Sequence, residues 1–229
     1  MTTLCLISSM ATKPLLADLV ALYKHQAPEV EVRVESVGGV DAAKRVQAGE
    51  AFDCVVLASN AIDKLIGSGH VLVGSRADLV RSDVAVAVPA GAPVPDISTE
   101  AALKAAVLAA PTLGYSTGPS GVQLAQLFDA WGIAQDIAPR IVQAPPGVPV
   151  GSLVAKGEVA LGFQQRSEML GVPGITLVGG LPQAVEIITV FSGSVASTCQ
   201  QPQAMRDLLI FWQSGACDAL KRQHGMEPA

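Results

Sequence analysis

Charged and aromatic side chains are both scarce in this sequence, at 15% and 4% of residues, although half of its 229 residues are hydrophobic. No basic face stands out, and the formal net charge of −5 argues against a nucleic-acid partner, which calls for clustered Lys and Arg. No apolar run reaches the roughly 20 residues that a membrane span needs, so the chain is not expected to be membrane-embedded. None of the four cysteines (Cys5, Cys54, Cys199 and Cys217) has CxxC spacing, and His25, His70 and His224 lie far from them. No metal site is expected on that spacing. GxGxxG, GxxxxGK[ST], GxSxG and HExxH are all missing, so no nucleotide loop, nucleophile elbow or zinc helix is signalled, and no cofactor is expected. Cys5 and Cys54 sit inside apolar runs and read as small buried hydrophobes.

Short Val-rich runs alternate with Ala/Leu-rich segments, which points to an α/β fold. Leu4–Ile7 reads as a buried strand followed by a Ser8-Ser9 turn, and Thr12-Lys13-Pro14 as a helix start with Thr12 as cap. Val30–Glu35 alternates as a half-buried strand does. Gly38-Gly39 breaks it, and Asp41–Ala48 reads as a short helix. Asp53–Ala58, Thr112–Tyr115, Val159–Phe163 and Ile175–Val178 are further strands. Ser98 is placed as cap of a helix over Glu100–Leu108. Ser116–Gly121 reads as a loop before a helix starting at Val122, and Pro202–His224 as one last amphipathic helix. Strands this short and apolar imply parallel pairing with right-handed crossovers. Residues 79–89 and 185–196 are long β stretches outside that rhythm, suited to carrying the chain between lobes. The expected division is 1–80 with 190–229 as one lobe and 81–189 as the other, with a ligand cleft between them.

Small polar turns recur between a strand and a helix: Ser8-Ser9, Gly38-Gly39 and Ser116–Gly121. Hydroxyls and free N–H groups at helix N-termini make an uncharged anion site, and strand C-termini are where open α/β sheets bind ligands. The N-terminus, Met1-Thr2-Thr3-Leu4-Cys5-Leu6-Ile7, enters a strand without a basic-then-apolar leader. It reads as cytoplasmic as it stands, and as periplasmic if it begins at a mature N-terminus.

The order Leu6-Ile7-Ser8-Ser9-Met10-Ala11-Thr12, Gly38-Gly39, Ala48–Asp53, Gly118-Pro119-Ser120-Gly121 and Lys156–Gly162 resembles the molybdate-binding family of ABC-transporter solute receptors. The likeness spans nearly the whole chain. It implies a two-lobed type II periplasmic-binding-protein fold, with mostly parallel sheets, two β crossovers as hinge, and an oxyanion held by neutral donors. An ABC permease is then the implied partner of an exported chain. Two donors of the family pattern are replaced here. Val40 follows Gly38-Gly39 where the family has serine, and Gln165 ends Gly162-Phe163-Gln164-Gln165 where the family has tyrosine. Amides both donate and accept, so a small anionic ligand of the di- or tricarboxylate kind is expected rather than molybdate. The expected ligand-binding residues are Ser8, Ser9, Thr12, Gly39, Val40, Ser59, Ser116, Ser120, Val148, Gln164 and Gln165. A divergent branch of the family includes a cofactor-free isomerase of aconitate-type acids. On that alternative Asp41, beside the second glycine turn, is the expected catalytic base, with Glu168 as second candidate.

Overall fold

The computed structural model describes residues 2–145 and 147–229. The chain forms two compact units, Met1–Arg81 with Val190–Ala229, and Ser82–Thr189. In chain order the first unit contains β1 (Thr2–Ser9), a 3-10 turn at Met10–Thr12, α1 (Lys13–Gln26), β2 (Val30–Val37), α2 (Gly39–Gln47), β3 (Cys54–Ala58) and α3 (Ser59–Gly67). Strand β4 (Ala77–Pro89) carries the chain out of it. The second unit follows with α4 (Glu100–Ala109), β5 (Leu113–Ser116), α5 (Pro119–Ala130), α6 (Ala134–Ile137), β6 (Ile141–Ala144), α7 (Val150–Ala155), β7 (Leu161–Gln165), α8 (Arg166–Met169) and β8 (Ile175–Gly180). Strand β9 (Ile188–Val195) brings the chain back, ahead of α9 (Pro202–Gln213), α10 (Asp218–Gln223) and β10 (Glu227–Pro228).

In the first unit the strand order is β2-β1-β3-β9-β4. β1 runs parallel to β2 and β3, and β9 runs antiparallel to β3. Alternation along each strand splits the side chains between two cores. Leu4, Leu6, Cys54 and Val56 pack with Leu15, Leu16 and Leu19 of α1 and Leu208 and Trp212 of α9. Ile7, Val55 and Leu57 pack with Ala42 and Val46 of α2 and Ile62 and Leu65 of α3. Burial on both faces is why β3 reads as an unbroken apolar run.

In the second unit the order is β4-β7-β5-β6, with β8 on β4. β5 is parallel to β6 and β7, whereas β4 is antiparallel to β7 and β8. The Val/Ala alternation of β4 has a packing cause. Val84, Val86 and Val88 face large side chains such as Phe128 and Phe163. Ala85 and Ala87 face Val150, Val154 and Met169, on the side where α7 and α8 pack. Gly162 lies on that side of β7, and a Cβ there would run into Val154.

Several boundaries differ from the sequence expectation, each for a local reason. Ser8 and Ser9 are not a turn; they close β1, because the parallel ladder continues to Ser9 opposite Val37. Helix α2 starts at Gly39, two residues before Asp41. Thr99, not Ser98, caps α4: its hydroxyl accepts the Ala102 N–H at 3.1 Å, while the Ser98 N–H goes to Asp96. Helix α5 starts at Pro119, so Ser120 and Gly121 belong to its first turn. The last helix is two, since Ser214 turns extended (φ −71, ψ 154) and a 3-10 turn over Gly215–Cys217 precedes α10. All four cysteines are free; Cys54 is buried as expected, and Cys5 is half-buried.

Candidate functional site

Parallel strands end at one edge of their sheet, and each end here feeds a helix N-terminus. In the first unit these ends are Ser9 of β1, Val37-Gly38 after β2, and Ala58-Ser59 after β3. Ser8 is fully buried, with its hydroxyl 2.8 Å from that of Ser36. The Thr12 hydroxyl does not cap α1; it donates to the Ser9 carbonyl at 3.2 Å. Ser9 is different: its Oγ is enclosed and has no hydrogen-bond partner among the described residues. Gly39 stands next to it, where a Cβ would lie 3.7 Å from that of Ser9. The helical ladder of α2 opens with the Ala42 N–H on the Gly38 carbonyl at 2.9 Å. The N–H groups of Gly39, Val40 and Asp41 therefore precede it, as at any helix start. Val40 is 49% exposed, and with no hydrogen-bonding side chain it could offer a ligand only its amide. Asp41 is exposed in the first turn of α2. Ser59 is half-buried at the start of α3.

In the second unit the corresponding ends are Ser116 of β5, the segment between β6 and α7, and Gln164-Gln165 of β7. Ser116 Oγ accepts the Gly118 N–H at 3.4 Å. Ser120 is buried in the first turn of α5. Gly121 beside it is required by a close approach: a Cβ there would overlap the Ser116 carbonyl. The Val148 N–H is spent on the Pro145 carbonyl at 3.0 Å. Gln164 is held at both ends, its Oε1 accepting the Gly151 N–H of α7 at 3.2 Å and its Nε2 donating to Glu168 Oε1 at 2.9 Å. Gln165 Nε2 donates to Thr189 Oγ1 at 2.7 Å, and its Oε1 is enclosed without a partner among the described residues. Burial pushes the Glu168 carboxyl up to about 7, against the opposing pull of the Gln164 N–H.

The structure thus leaves Ser9 and Gln165 with unused hydrogen-bonding capacity and commits Ser8, Thr12, Val148 and Gln164 to internal bonds. Thr189 and the Gly151 amide, which fix the two glutamines, carried no signal in the sequence. Among the described residues, no cluster of three or more His, Cys, Asp or Glu could hold a metal, and no helix is long and apolar enough to cross a membrane.

Residues 4–227 match the model of the bacterial extracellular solute-binding protein family. The chain belongs to that family. Among curated relatives of this solute-binding protein, an aconitate isomerase from a Pseudomonas species is 36% identical over 233 residues, covering 99% of this chain and 88% of the relative. Among solved structures, the periplasmic molybdate-binding protein of Azotobacter vinelandii superposes with a TM-score of 0.80 at 17% identity, covering 97% of this chain and 98% of that one. The sulfate-binding protein SubI of Mycobacterium tuberculosis gives 0.80 at 17%, covering 100% and 88%. L-phospholactate-bound PEB3 gives 0.78 at 14%, covering 99% and 100%. The fold is the α/β fold of these proteins.

Proposed function

We propose that this solute-binding protein binds a small organic anion, a di- or tricarboxylate, through uncharged donors. The candidate groups are, in the first unit taken by itself, the Ser9 hydroxyl with the Gly39 and Val40 amides, and, in the second taken by itself, Ser120 and Gln165. Gln165 carries the reading. One end of its enclosed amide has no partner among the described residues, and an unpaired buried polar group is costly. The Thr189 hydroxyl at the other end can donate as well as accept, so the Gln165 amide can offer a ligand either an N–H or a carbonyl, which suits a carboxylate or a carboxylic acid. The 36%-identical relative is named for aconitate, an unsaturated tricarboxylate, which points to the same ligand class.

A thermal-shift panel of molybdate, sulfate, and di- and tricarboxylates tests this. A ligand at 100 times its Kd adds about 2.7 kcal/mol of stability. Tricarboxylates are expected to raise Tm and molybdate is not; a large shift with molybdate alone would overturn the assignment. In an exported form the protein would pass its ligand to an ABC permease, and a leader encoded upstream in the gene would support that partner and a periplasmic location.

A second reading is favoured by the same relative, which matches nearly the whole chain. Here the bound acid is isomerised by a cofactor-free allylic proton shift. Incubation with cis- or trans-aconitate in D₂O, followed by proton NMR, distinguishes the two readings. A pure receptor leaves both isomers unlabelled and unchanged.

A further inference from the structure

We propose that Glu168 is the proton-transfer residue of that isomerisation, with Oε2 as the atom that takes and returns the proton and Gln164 as its positioning residue. The proposal deepens the isomerase reading and rests on it. It starts from a backbone group whose role is fixed. The Gly151 N–H can only donate, so the atom of the Gln164 amide facing it at 3.2 Å is the oxygen. The other end of that amide is then the NH₂ group, which meets Glu168 Oε1 at 2.9 Å and can only donate in turn. Oε1 is therefore an acceptor in both protonation states, and any proton on this carboxyl resides on Oε2. Oε2 has no protein partner among the described residues and is not among the enclosed unpartnered atoms. One carboxyl oxygen is held by a chain of two hydrogen bonds that begins at the α7 backbone, and the other has no partner among the described residues.

The charges around Glu168 leave it to its burial. Helix α7 (VGSLVA), strand β7 (LGFQQ) and strand β8 (ITLVGG) contain no titratable side chain. The other charge on α8 is Arg166, whose Nε is bound to both oxygens of Asp83 at 2.8 and 3.1 Å. With a carboxyl pushed up to about 7, both protonation states are populated near neutrality, which is what a group that takes and returns one proton requires. Asp41 is exposed at the start of α2 and no such chain of hydrogen bonds holds it among the described residues.

The step balances within the substrate. The Glu168 carboxylate takes a proton from the methylene carbon of the unsaturated acid. The C–H electron pair spreads over the allylic carbons and the adjacent carboxylate. The proton returns to the far allylic carbon as the double bond moves by one position. No oxidant, reductant or second substrate is consumed.

The test uses trans-aconitate with the full chain in D₂O. Wild type is expected to take up deuterium and to form the cis isomer. Glu168→Gln is expected to lose at least about 100-fold in kcat while trans-aconitate still raises its Tm. Glu168→Asp, which keeps the acid but withdraws it by one methylene, should retain a measurable fraction of the rate. Gln164→Met removes the N–H that favours the carboxylate, so the rising limb of the kcat–pH profile should move to higher pH; a role confined to packing would leave that limb in place. Wild-type exchange with an equal rate in Glu168→Gln overturns this proposal alone. Wild type that binds trans-aconitate but exchanges no deuterium overturns the isomerase reading, and the role of Glu168 with it.

Discussion

The hydroxyl oxygens of Ser8 and Ser36 lie 2.8 Å apart on the neighbouring parallel strands β1 and β2. That bond occupies the Ser8 hydroxyl, whereas its neighbour Ser9 has an enclosed hydroxyl without a partner among the described residues.

Two alanine variants separate these roles. Ser9→Ala deletes an unpaired buried hydroxyl, so the ligand-free protein should be as stable as wild type or slightly more so. Its affinity for a tricarboxylate should fall by about 10- to 100-fold, the loss of about 1.5–3 kcal/mol for a hydrogen bond to a charged group. Ser8→Ala should show the reverse: about 1 kcal/mol of stability lost, from the bond to Ser36, and little change in affinity. Urea unfolding and calorimetric titration read the two effects. A Ser9→Ala variant with wild-type affinity would remove Ser9 from the site.

Glu168 should leave a signature in stability against pH, apart from any catalysis. Its carboxyl rises from the ordinary 4.5 to about 7 in the folded protein. Between those values the folded state binds the extra proton, so stability falls as pH rises through that window. The full effect is on the order of 3 kcal/mol. Wild type measured against Glu168→Gln by urea unfolding at pH 4.5 and pH 8 should show wild type losing most of that amount at the higher pH. Parallel pH dependences would mean that the carboxyl titrates in its normal range.

Gly121→Ala should be among the most damaging single-methyl additions in the second unit. Its Cβ would overlap the Ser116 carbonyl, a backbone atom that cannot swing aside. A loss of about 3 kcal/mol is expected, at the upper end of overpacking costs, with the start of α5 displaced from the end of β5. Gly162→Ala meets the Val154 and Val150 side chains of α7 instead, which can give way by a small shift of their helix, and should cost less. Denaturant midpoints of the two variants decide the order.

The elements themselves were largely legible. Cys54–Ala58, apolar throughout, could be read as a strand buried on both faces, and Val30–Glu35 as one exposed on alternate residues. Element ends were less so. The serines closing β1 have turn-like chemistry, and only the ladder with β2 makes them strand. The break at Ser214 falls inside an otherwise continuous amphipathic pattern. Position at a strand end could be read for Ser9, Ser116 and Gln165, but not which polar groups remain unsatisfied. Gly151 lies 13 residues before Gln164 in the chain, and Thr189 lies 24 residues after Gln165. Pairings over such distances are settled by tertiary structure. Glu168 looks like any helix carboxylate until its burial is seen.

Strand β9 lies between β3 and β4 in the sheet of the first unit, yet the part of it that belongs to that unit, from Val190 on, is made only after all of Ser82–Thr189. During synthesis the ribosome therefore delivers every segment of the second unit before the first can complete its sheet. The contiguous unit is free to fold while the discontinuous one waits with a gap at its centre, its β3 edge unpaired. Pulse-labelled hydrogen exchange during refolding should accordingly protect the amides of β5 and β7 before those that join β3 to β9, and a β3–β9 ladder protected first would reverse that order of assembly.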